Sequence, residues 1–158
     1  MIIRKGGIKD RSAAVRLLRA SSEGAGFNHA EGPTGFHFPF KDAYAERLFD
    51  AHRMSPDGCA LLLEAEGEAG GILIARAAEH HFGPVRLAQE TAWWIDPKHR
   101  NFRAASRMLD AYEDWAFTQQ KCQFVGMGAM GHDPIVAKLY ERRGYRLAET
   151  FYLKASAP

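Results

Sequence analysis

The chain has 158 residues, of which 46% are hydrophobic and 25% charged, and its formal net charge is +2 at pH 7. This length allows one substantial core, so we expect a single domain over residues 1–158. The small net charge argues against a disordered tail and against nucleic acid as a partner. No stretch approaches the roughly 20 apolar residues of a membrane helix, and the start of the chain lacks a long apolar run. We therefore expect a cytoplasmic protein without a membrane partner.

The first third of the chain predicts a strand and two helices separated by an irregular loop. Residues 1–4 are a short apolar start typical of an edge strand, and Asp10 can cap a first helix. Asp42 can cap a second helix that ends near Arg53. Between the helices, residues 24–40 mix glycine, proline and histidine with four phenylalanines. This composition indicates an ordered loop over a pocket rather than a linker.

The middle of the chain predicts an antiparallel meander followed by the main helix. Three apolar or alternating runs are separated by glycine-rich turns: 59–66, 71–79 and 85–96. A period of 3.6 then places one apolar stripe on a helix over residues 103–120. A short strand is predicted at 124–127, a helix from Asp133 to Gly144, and at least one last strand within 145–154.

A basic segment leads into the main helix. It reads WIDPKHRNFRAASRML, from Trp94 to Leu109. The free backbone amides of a helix's first turn, aided by the helix dipole, attract phosphate groups. Four basic side chains add positive charge there: Lys98, Arg100, Arg103 and Arg107. The segment is either a solvated basic loop or a phosphate site.

A second motif reads DPIVAKLYERRGY, from Asp133 to Tyr145. Asp133 is a helix cap and Pro134 occupies the first helical position, where proline is favoured. Tyr140 lies one turn beyond Val136. Taken alone, this tyrosine is either an inward-facing core aromatic or a site residue.

With these two motifs in this order of elements, the chain resembles the GNAT (Gcn5-related N-acetyltransferase) superfamily over nearly its whole length. The family's acetyl-CoA loop runs Arg or Gln, two variable residues, Gly, one variable residue, and Gly or Ala. Arg100 and Ala105 match this pattern, whereas Arg103 replaces the central glycine. Either Arg103 points outward and adds a charge contact to phosphate, or it weakens cofactor binding. The basic flanks favour the outward position.

The resemblance implies an α/β (α+β) fold with a mixed, mostly antiparallel central sheet flanked by about four helices. It also implies acetyl-CoA as cofactor. The positions that match the family's cofactor contacts are Trp94, Ile95, Arg100, Asn101, Phe102, Arg103, Ala104, Ala105, Ser106 and Asp133. Asp133 stands where the family commonly has Asn, and an ionised carboxylate cannot donate the amide hydrogen bond.

The resemblance further implies direct transfer of an acetyl group to a primary amine. Tyr140 matches the tyrosine that often protonates the leaving thiolate. Because an alkylamine has a pKa of about 10.4, a base must remove its proton before or during attack. A backbone amide near residues 93–95 is expected to stabilise the negative charge on the acetyl oxygen.

For the base, the resemblance favours Glu90, since family members often place a glutamate on this strand about ten residues before the loop arginine. An ungapped comparison places Gln89 there equally well, and strand alternation sends these neighbours to opposite faces unless a bulge intervenes. Water or a histidine is the alternative. His29 and His37 titrate in the useful range and, with Phe38, are candidates to line the acceptor pocket.

Two pairs of adjacent residues complete the sequence predictions. His80 and His81 should point to opposite sides of a strand, and no Asp, Glu or Cys lies beside them at a ligand spacing, so no metal site is expected. Trp93 and Trp94 should likewise face opposite ways. One of the two tryptophans is expected in the core and the other beside the pantetheine channel.

The expected partner is a small-molecule or protein amine, and the resemblance adds a homodimer, since family members often dimerise. The competing interpretation is a non-catalytic GNAT-like module that binds an acyl-CoA or a partner protein. The departures at Arg103 and Asp133 keep this interpretation open. The Trp-Trp strand, residues 113–115 and residues 152–154 also resemble GNAT proteins encoded by bacteriophages.

Overall fold

The structure is a computed structural model that describes residues 1–28, 31–32, 34–129 and 134–156. Within these residues, five strands form one sheet in the order β1-β2-β3-β4-β5. They are β1 (Ile2–Lys5), β2 (Gly58–Ala65), β3 (Glu68–Glu79), β4 (Arg86–Ile95) and β5 (Phe124–Gly126). Strands β1 to β4 are antiparallel neighbours, and β5 pairs parallel to β4. The prediction of a mixed, mostly antiparallel sheet is confirmed.

Four α-helices flank this sheet in the described part of the chain, as predicted. They are α1 (Arg11–Gly24), α2 (Asp42–Met54), α3 (Phe102–Asp114) and α4 (Pro134–Arg142). A 3-10 turn precedes α1, and a π-helical turn over Trp115–Gln119 continues α3. None of the helices in these described ranges is long and apolar enough to cross a membrane.

The central strands are nearly continuous apolar runs because helices cover both faces of the sheet. Leu63 and Leu73 pack in the cluster that includes α3 and Tyr140, whereas Leu62 and Ile72 pack in the cluster that includes α1 and α2. All four leucine and isoleucine side chains are fully buried. Truncating one of them to alanine is expected to cost about 2–5 kcal/mol of stability.

A β-bulge in β4 sets the direction of the side chains around Glu90. Ile74 of β3 pairs with Ala92, and the next residue of β3 pairs with Glu90, so Thr91 is the extra residue. Ala88 and Trp93 consequently both face the α3 side, although they are an odd number of residues apart. The bulge thus interrupts the alternation that the sequence predicts.

Strands β4 and β5 are paired only over a short length. The parallel ladder joins Leu87 to Phe124 and ends where Gln89 meets Gly126. Beyond Gln89, the edge of β4 that faces β5 has no ladder partner among the described residues. The two strands therefore diverge toward the end of β4, and the opening between them lies at Glu90–Ile95.

Two helix-cap predictions and one strand prediction are wrong in detail. Asp10 stands at the N-cap position of α1, but its side chain accepts from Gly7 and Arg4 rather than from α1, so it closes the capping box of the preceding 3-10 turn. The Asp42 side chain caps no helix and pairs with Arg19. Residues 145–154 form no strand, because a strand requires a neighbouring backbone to pair with and this segment has none in the described part of the chain.

His80 and His81 follow β3 rather than continuing it. Their rings stack with centroids 4.3 Å apart instead of pointing to opposite sides. The reason is local: the chain turns here, and the His80 N–H donates to the Val85 carbonyl at 2.7 Å. Among the described residues, no group of three or more His, Cys, Asp or Glu side chains is placed to hold a metal ion.

Candidate active site

The first turn of α3 offers unpaired backbone amides. Asn101 adopts an extended conformation at the helix cap, and its side-chain oxygen accepts from the Ala104 N–H at 2.9 Å. The amides of Phe102 and Arg103 have no acceptor among the described residues. Such amides at a helix start attract phosphate oxygens.

The side chains of this turn leave its outer surface open. Ala104 and Ala105 are 0% and 9% exposed and pack inward, so only their backbone can face a ligand. Phe102, Arg103 and the partly buried Ser106 lie toward solvent. Arg103 makes no hydrogen bond or ion pair with any described residue. Its position at the family's glycine therefore does not push a side chain into the core.

Arg100 folds back onto the end of β4. Its guanidinium lies 4.4 Å above the centre of the Trp94 ring and donates to the Ile95 carbonyl at 3.0 and 2.8 Å. Trp94 itself packs on the face covered by α1 and α2. The three predicted cofactor residues Trp94, Ile95 and Arg100 are thus brought together beside the first turn of α3.

Glu90 and Tyr140 both form a hydrogen bond with Gly128, which lies two residues beyond the end of β5. The Gly128 N–H donates to the Glu90 carboxylate (Oε2) at 3.0 Å, and the Tyr140 hydroxyl donates to the Gly128 carbonyl at 3.0 Å. Glu90 lies on the diverging part of β4 and Tyr140 on α4. The structure therefore brings the two predicted catalytic residues to one place, whereas Gln89 is exposed.

The surroundings of these two groups shift their acidities. Burial raises the pKa of the Glu90 carboxyl above its ordinary value, and the Gly128 hydrogen bond offsets part of the rise. Burial also raises the pKa of the Tyr140 hydroxyl, with further contributions from the Glu90 charge and from Tyr145. Glu90 is therefore a stronger base than a solvated glutamate, and Tyr140 keeps its proton at neutral pH.

Trp93 lies beside Tyr140, although only Trp94 of the pair is among the predicted cofactor residues. Its ring centre lies 6.1 Å from that of Tyr140, and its indole N–H is buried without a hydrogen-bond partner among the described residues. The prediction that the two tryptophans face opposite ways is confirmed, since Trp93 packs toward α3 and Trp94 toward α1. An unpaired buried donor is an exception among buried polar groups, and this one lies beside Tyr140.

His37 and Phe38, two of the candidate acceptor residues, lie in the loop between α1 and α2. The His37 ring (Nδ1) donates to the Asn28 carbonyl at 2.9 Å, and Phe38 packs edge-to-face on Phe27 with ring centres 4.9 Å apart. Residues 35–38 and 153–155 together line a mostly apolar cavity. No hydrogen bond, ion pair or ring contact joins His37 or Phe38 to Glu90 or Tyr140. The predictions for His29 and Asp133 fall outside the described residues.

The unpaired end of β4 lies next to the phosphate-type start of α3, an arrangement that suits a ligand with a phosphate group. The chain belongs to the acetyltransferase (GNAT) family, whose model matches residues 27–145. Acetyl-CoA as cosubstrate follows from this membership. The unpaired amides of α3 and the outward Arg103 side chain fit its pyrophosphate, whereas Lys98 pairs with Glu68 and Arg107 donates to the Met1 carbonyl.

Solved structures of similar fold cover nearly the whole chain. A ribosomal-protein-alanine N-acetyltransferase from Brucella melitensis biovar Abortus 2308 is 19% identical, with a TM-score of 0.71 and coverage of 99% of this chain and 100% of that one. The aminoglycoside 6'-N-acetyltransferase AAC(6')-IG from Acinetobacter haemolyticus is 14% identical, with a TM-score of 0.74 and coverage of 100% and 99%.

A third similar structure holds a ligand. It is AAC(6')-Iy in complex with the bisubstrate analogue CoA-S-monomethyl-acetylneamine, 13% identical, with a TM-score of 0.76 and coverage of 99% of this chain and 98% of that one. At these identities the likeness establishes the fold. Comparison with curated protein sequences gives no match.

Proposed function

We propose that this protein is an N-acetyltransferase that moves an acetyl group from acetyl-CoA to a primary amine by direct attack, with Glu90 as general base and Tyr140 as general acid. The observation that carries the proposal is the meeting of these two side chains at Gly128, beside the opening between β4 and β5. A base and an acid at one place are what direct transfer between an amine and a thioester requires.

Acetyl-CoA supplies the acetyl group as a thioester. In the proposal, the Phe102 and Arg103 amides and the exposed Arg103 side chain hold its pyrophosphate. The remaining predicted contacts along the loop are Trp94, Ile95, Arg100, Asn101, Ala104, Ala105 and Ser106, and Asp133, which precedes α4 in sequence, is the last predicted contact. An unpaired N–H at the diverging edge of β4, near residues 93–95, stabilises the negative charge that develops on the acetyl oxygen.

Glu90 takes the proton of the attacking amine. Its raised pKa brings the carboxylate closer to the amine in basicity, so proton transfer costs less free energy than with an ordinary glutamate. The Gly128 N–H donates to one carboxylate oxygen (Oε2), and the other oxygen is left to accept the proton. Glu90 therefore receives the proton without first losing the hydrogen bond from the Gly128 N–H.

Tyr140 gives its hydroxyl proton to the leaving sulfur. The negative charge of Glu90 is one cause of its raised pKa. When Glu90 takes the amine proton, that charge disappears and the Tyr140 hydroxyl becomes more acidic. Proton uptake at one residue thus favours proton release at the other, in the order that the reaction needs.

The acceptor is a small-molecule or protein amine, and His29, His37 and Phe38 line its pocket in this proposal. Similar structures act on both kinds of acceptor by name, a ribosomal protein and aminoglycosides. The homodimer, the cytoplasmic location, the single domain and the resemblance to bacteriophage-encoded members stay predictions.

The test begins with ligand binding. Acetyl-CoA and CoA are each added to the purified protein, and the shift in Tm is measured. Release of free thiol is then followed with acetyl-CoA and a panel of primary amines, including aminoglycosides and peptide N-termini. A rise in Tm with both ligands and amine-dependent thiol release support the proposal. No rise with either ligand contradicts it, and binding without turnover on any amine favours the non-catalytic module.

A further inference from the structure

Asp96 is a buried charged residue that none of the proposed chemical steps uses. It directly follows β4 and is 8% exposed. One carboxylate oxygen (Oδ1) accepts from the Trp94 indole N–H at 3.0 Å, and the other (Oδ2) accepts from the Arg16 guanidinium at 2.8 Å. Both oxygens are therefore engaged by donors from different elements.

The backbone of Asp96 is fixed as well. Its N–H donates to the Gly70 carbonyl at 2.8 Å, and its carbonyl accepts from the His99 N–H at 2.9 Å. Arg16 of α1 additionally donates to the Ala69 carbonyl at 2.6 Å. Asp96 consequently joins α1, the start of β3 and the loop that leads to Asn101.

The Trp94 ring connects Asp96 to Arg100, because its N–H bonds to Asp96 and its face packs against the Arg100 guanidinium. A Cβ atom at Gly24 would lie 2.3 Å from the ring, so Gly24 at the end of α1 packs directly against Trp94. The guanidinium of Arg100 lies over the ring at 4.4 Å. A rotation of Trp94 would move Arg100 and, with it, the residues that open α3.

We propose that Asp96 is a positioning residue of the acetyl-CoA site: by accepting from both Trp94 and Arg16, it holds Arg100 and the first turn of α3 in the arrangement that receives the pyrophosphate. This inference rests on the proposed function. Arg16 has a second role in it, because the guanidinium neutralises a carboxylate that would otherwise repel phosphate.

Asparagine is the informative replacement at Asp96. Trp94 and Arg16 donate to different carboxylate oxygens, and asparagine has an NH2 group in place of one of them, so one of the two hydrogen bonds is lost. We expect Asp96→Asn to raise the Kd for CoA, measured by calorimetry, about tenfold, as for loss of one charged hydrogen bond. The KM for acetyl-CoA rises in parallel, while kcat changes less than about twofold, since the loop acts on binding rather than on proton transfer.

Asp50→Asn is the matched control. Asp50 accepts from Arg11 at 2.8 Å and from Arg53 at 2.6 Å, so the same change removes an equivalent double contact at the α1–α2 contact, outside the cofactor loop. It is expected to lower Tm and to leave the Kd for CoA unchanged. A drop in Tm alone at Asp96, without a rise in Kd, would overturn the positioning role.

Two further variants keep the inference testable if Asp96→Asn folds poorly. In a Trp94→Phe background, the side chain at position 96 needs to accept only from Arg16, so adding Asp96→Asn should raise Kd less than about twofold. Arg16→Gln removes the positive charge beside the Asp96 carboxylate, and its rise in Kd should shrink as salt is added. Equal effects of Asp96→Asn in both backgrounds, with no salt dependence for Arg16→Gln, would refute the inference.

The wild-type protein separates this inference from the proposed function. If it binds no CoA, the proposed function and the positioning role fall together. If it binds CoA and Asp96→Asn binds equally well, only the positioning role is wrong.

Discussion

Glu90 and Tyr140 bond to opposite polar groups of one residue, Gly128: the carboxylate accepts its N–H and the hydroxyl donates to its carbonyl, each at 3.0 Å. The β4 strand and α4 are thereby joined through a backbone segment that follows β5. Burial is the main cause of the raised pKa of Tyr140, and the negative charge of Glu90 nearby raises this pKa further. The protonation state of the proposed base therefore affects the pKa of the proposed acid.

Tyr140→Phe should lower turnover by about a hundredfold, the usual contribution of a general acid, because phenylalanine has no proton to give the leaving thiolate. The KM for acetyl-CoA should change less than about twofold. Loss of the hydrogen bond to Gly128 also lowers the free energy of unfolding by about 1–2 kcal/mol. Steady-state thiol release and denaturant unfolding measure the two effects separately.

Tyr112→Phe is a close control for this variant. Tyr112 is fully buried, and its hydroxyl donates to the Gly126 carbonyl at 3.0 Å, two residues earlier along the same segment. It should lose a similar amount of stability and keep its turnover. Equal turnover in both variants would show that Tyr140 is not the general acid.

Glu90 should impose an acid limb on the pH profile. The carboxylate must be ionised to accept the amine proton, so kcat/KM should fall as pH drops through a pKa that lies above the ordinary value of 4.5. Glu90→Gln should remove this limb and lower kcat/KM about a hundredfold at neutral pH. Glu79→Gln makes the same change at an exposed position of β3 and should retain the wild-type profile. An unchanged limb in Glu90→Gln would point to water or a histidine as the base.

Glu90 should also make the stability of the folded protein depend on pH. Because its pKa is higher in the folded state than in the unfolded state, its stabilising contribution is full below pH 4.5 and is lost as pH rises through the folded pKa. The Tm of Glu90→Gln relative to wild type should therefore be higher at pH 7 than at pH 4. A difference that is constant with pH would show that the carboxyl is not desolvated in the folded protein.

Much of the fold could be predicted because it depends on local patterns. The stripe predicted for the main helix is buried as a set, including Met108, Leu109 and Tyr112 at 0% exposure. The strand positions likewise followed from apolar runs and turns. The last segment did not, because residues 145–154 carry a strand pattern but strand formation depends on a partner edge, which a local pattern does not contain.

The resemblance predicted Glu90 and Tyr140 as two separate site residues, but it did not predict that both bond to one residue. Their contact depends on Gly128, which is 38 residues from Glu90 and 12 from Tyr140 in sequence. The bulge at Thr91, which no turn residue marks in the sequence, puts Trp93 on the same face of β4 as Ala88. The resemblance named the residues, and the tertiary structure supplies the reason why they can act together.

Gly128→Ala should displace the Glu90 carboxylate, the proposed base, while leaving it in the protein. An added Cβ would lie 3.2 Å from a Glu90 carboxylate oxygen, so the carboxylate must move by a few tenths of an ångström. Because misplacement of a catalytic group by about 1 Å can cost a hundredfold, we expect a fall in kcat of about tenfold here. Gly126→Ala is the control, since its Cβ would meet nothing closer than 3.7 Å and kcat should be unchanged. Equal kcat for both alanine variants would show that the Glu90 position does not limit the rate.

Arg103 decides whether the departure from the family's loop glycine helps or hinders the cofactor. Its side chain is exposed at the first turn of α3 and has no partner among the described residues, so it is available to phosphate. If it adds a solvent-exposed charge contact, Arg103→Ala should raise the Kd for CoA about threefold, with a smaller rise at high salt. Arg142→Ala, which removes an exposed arginine in the last turn of α4, should leave the Kd unchanged. Tighter binding by Arg103→Ala would instead mean that the arginine obstructs the pyrophosphate and that the family's glycine is the better residue at this position.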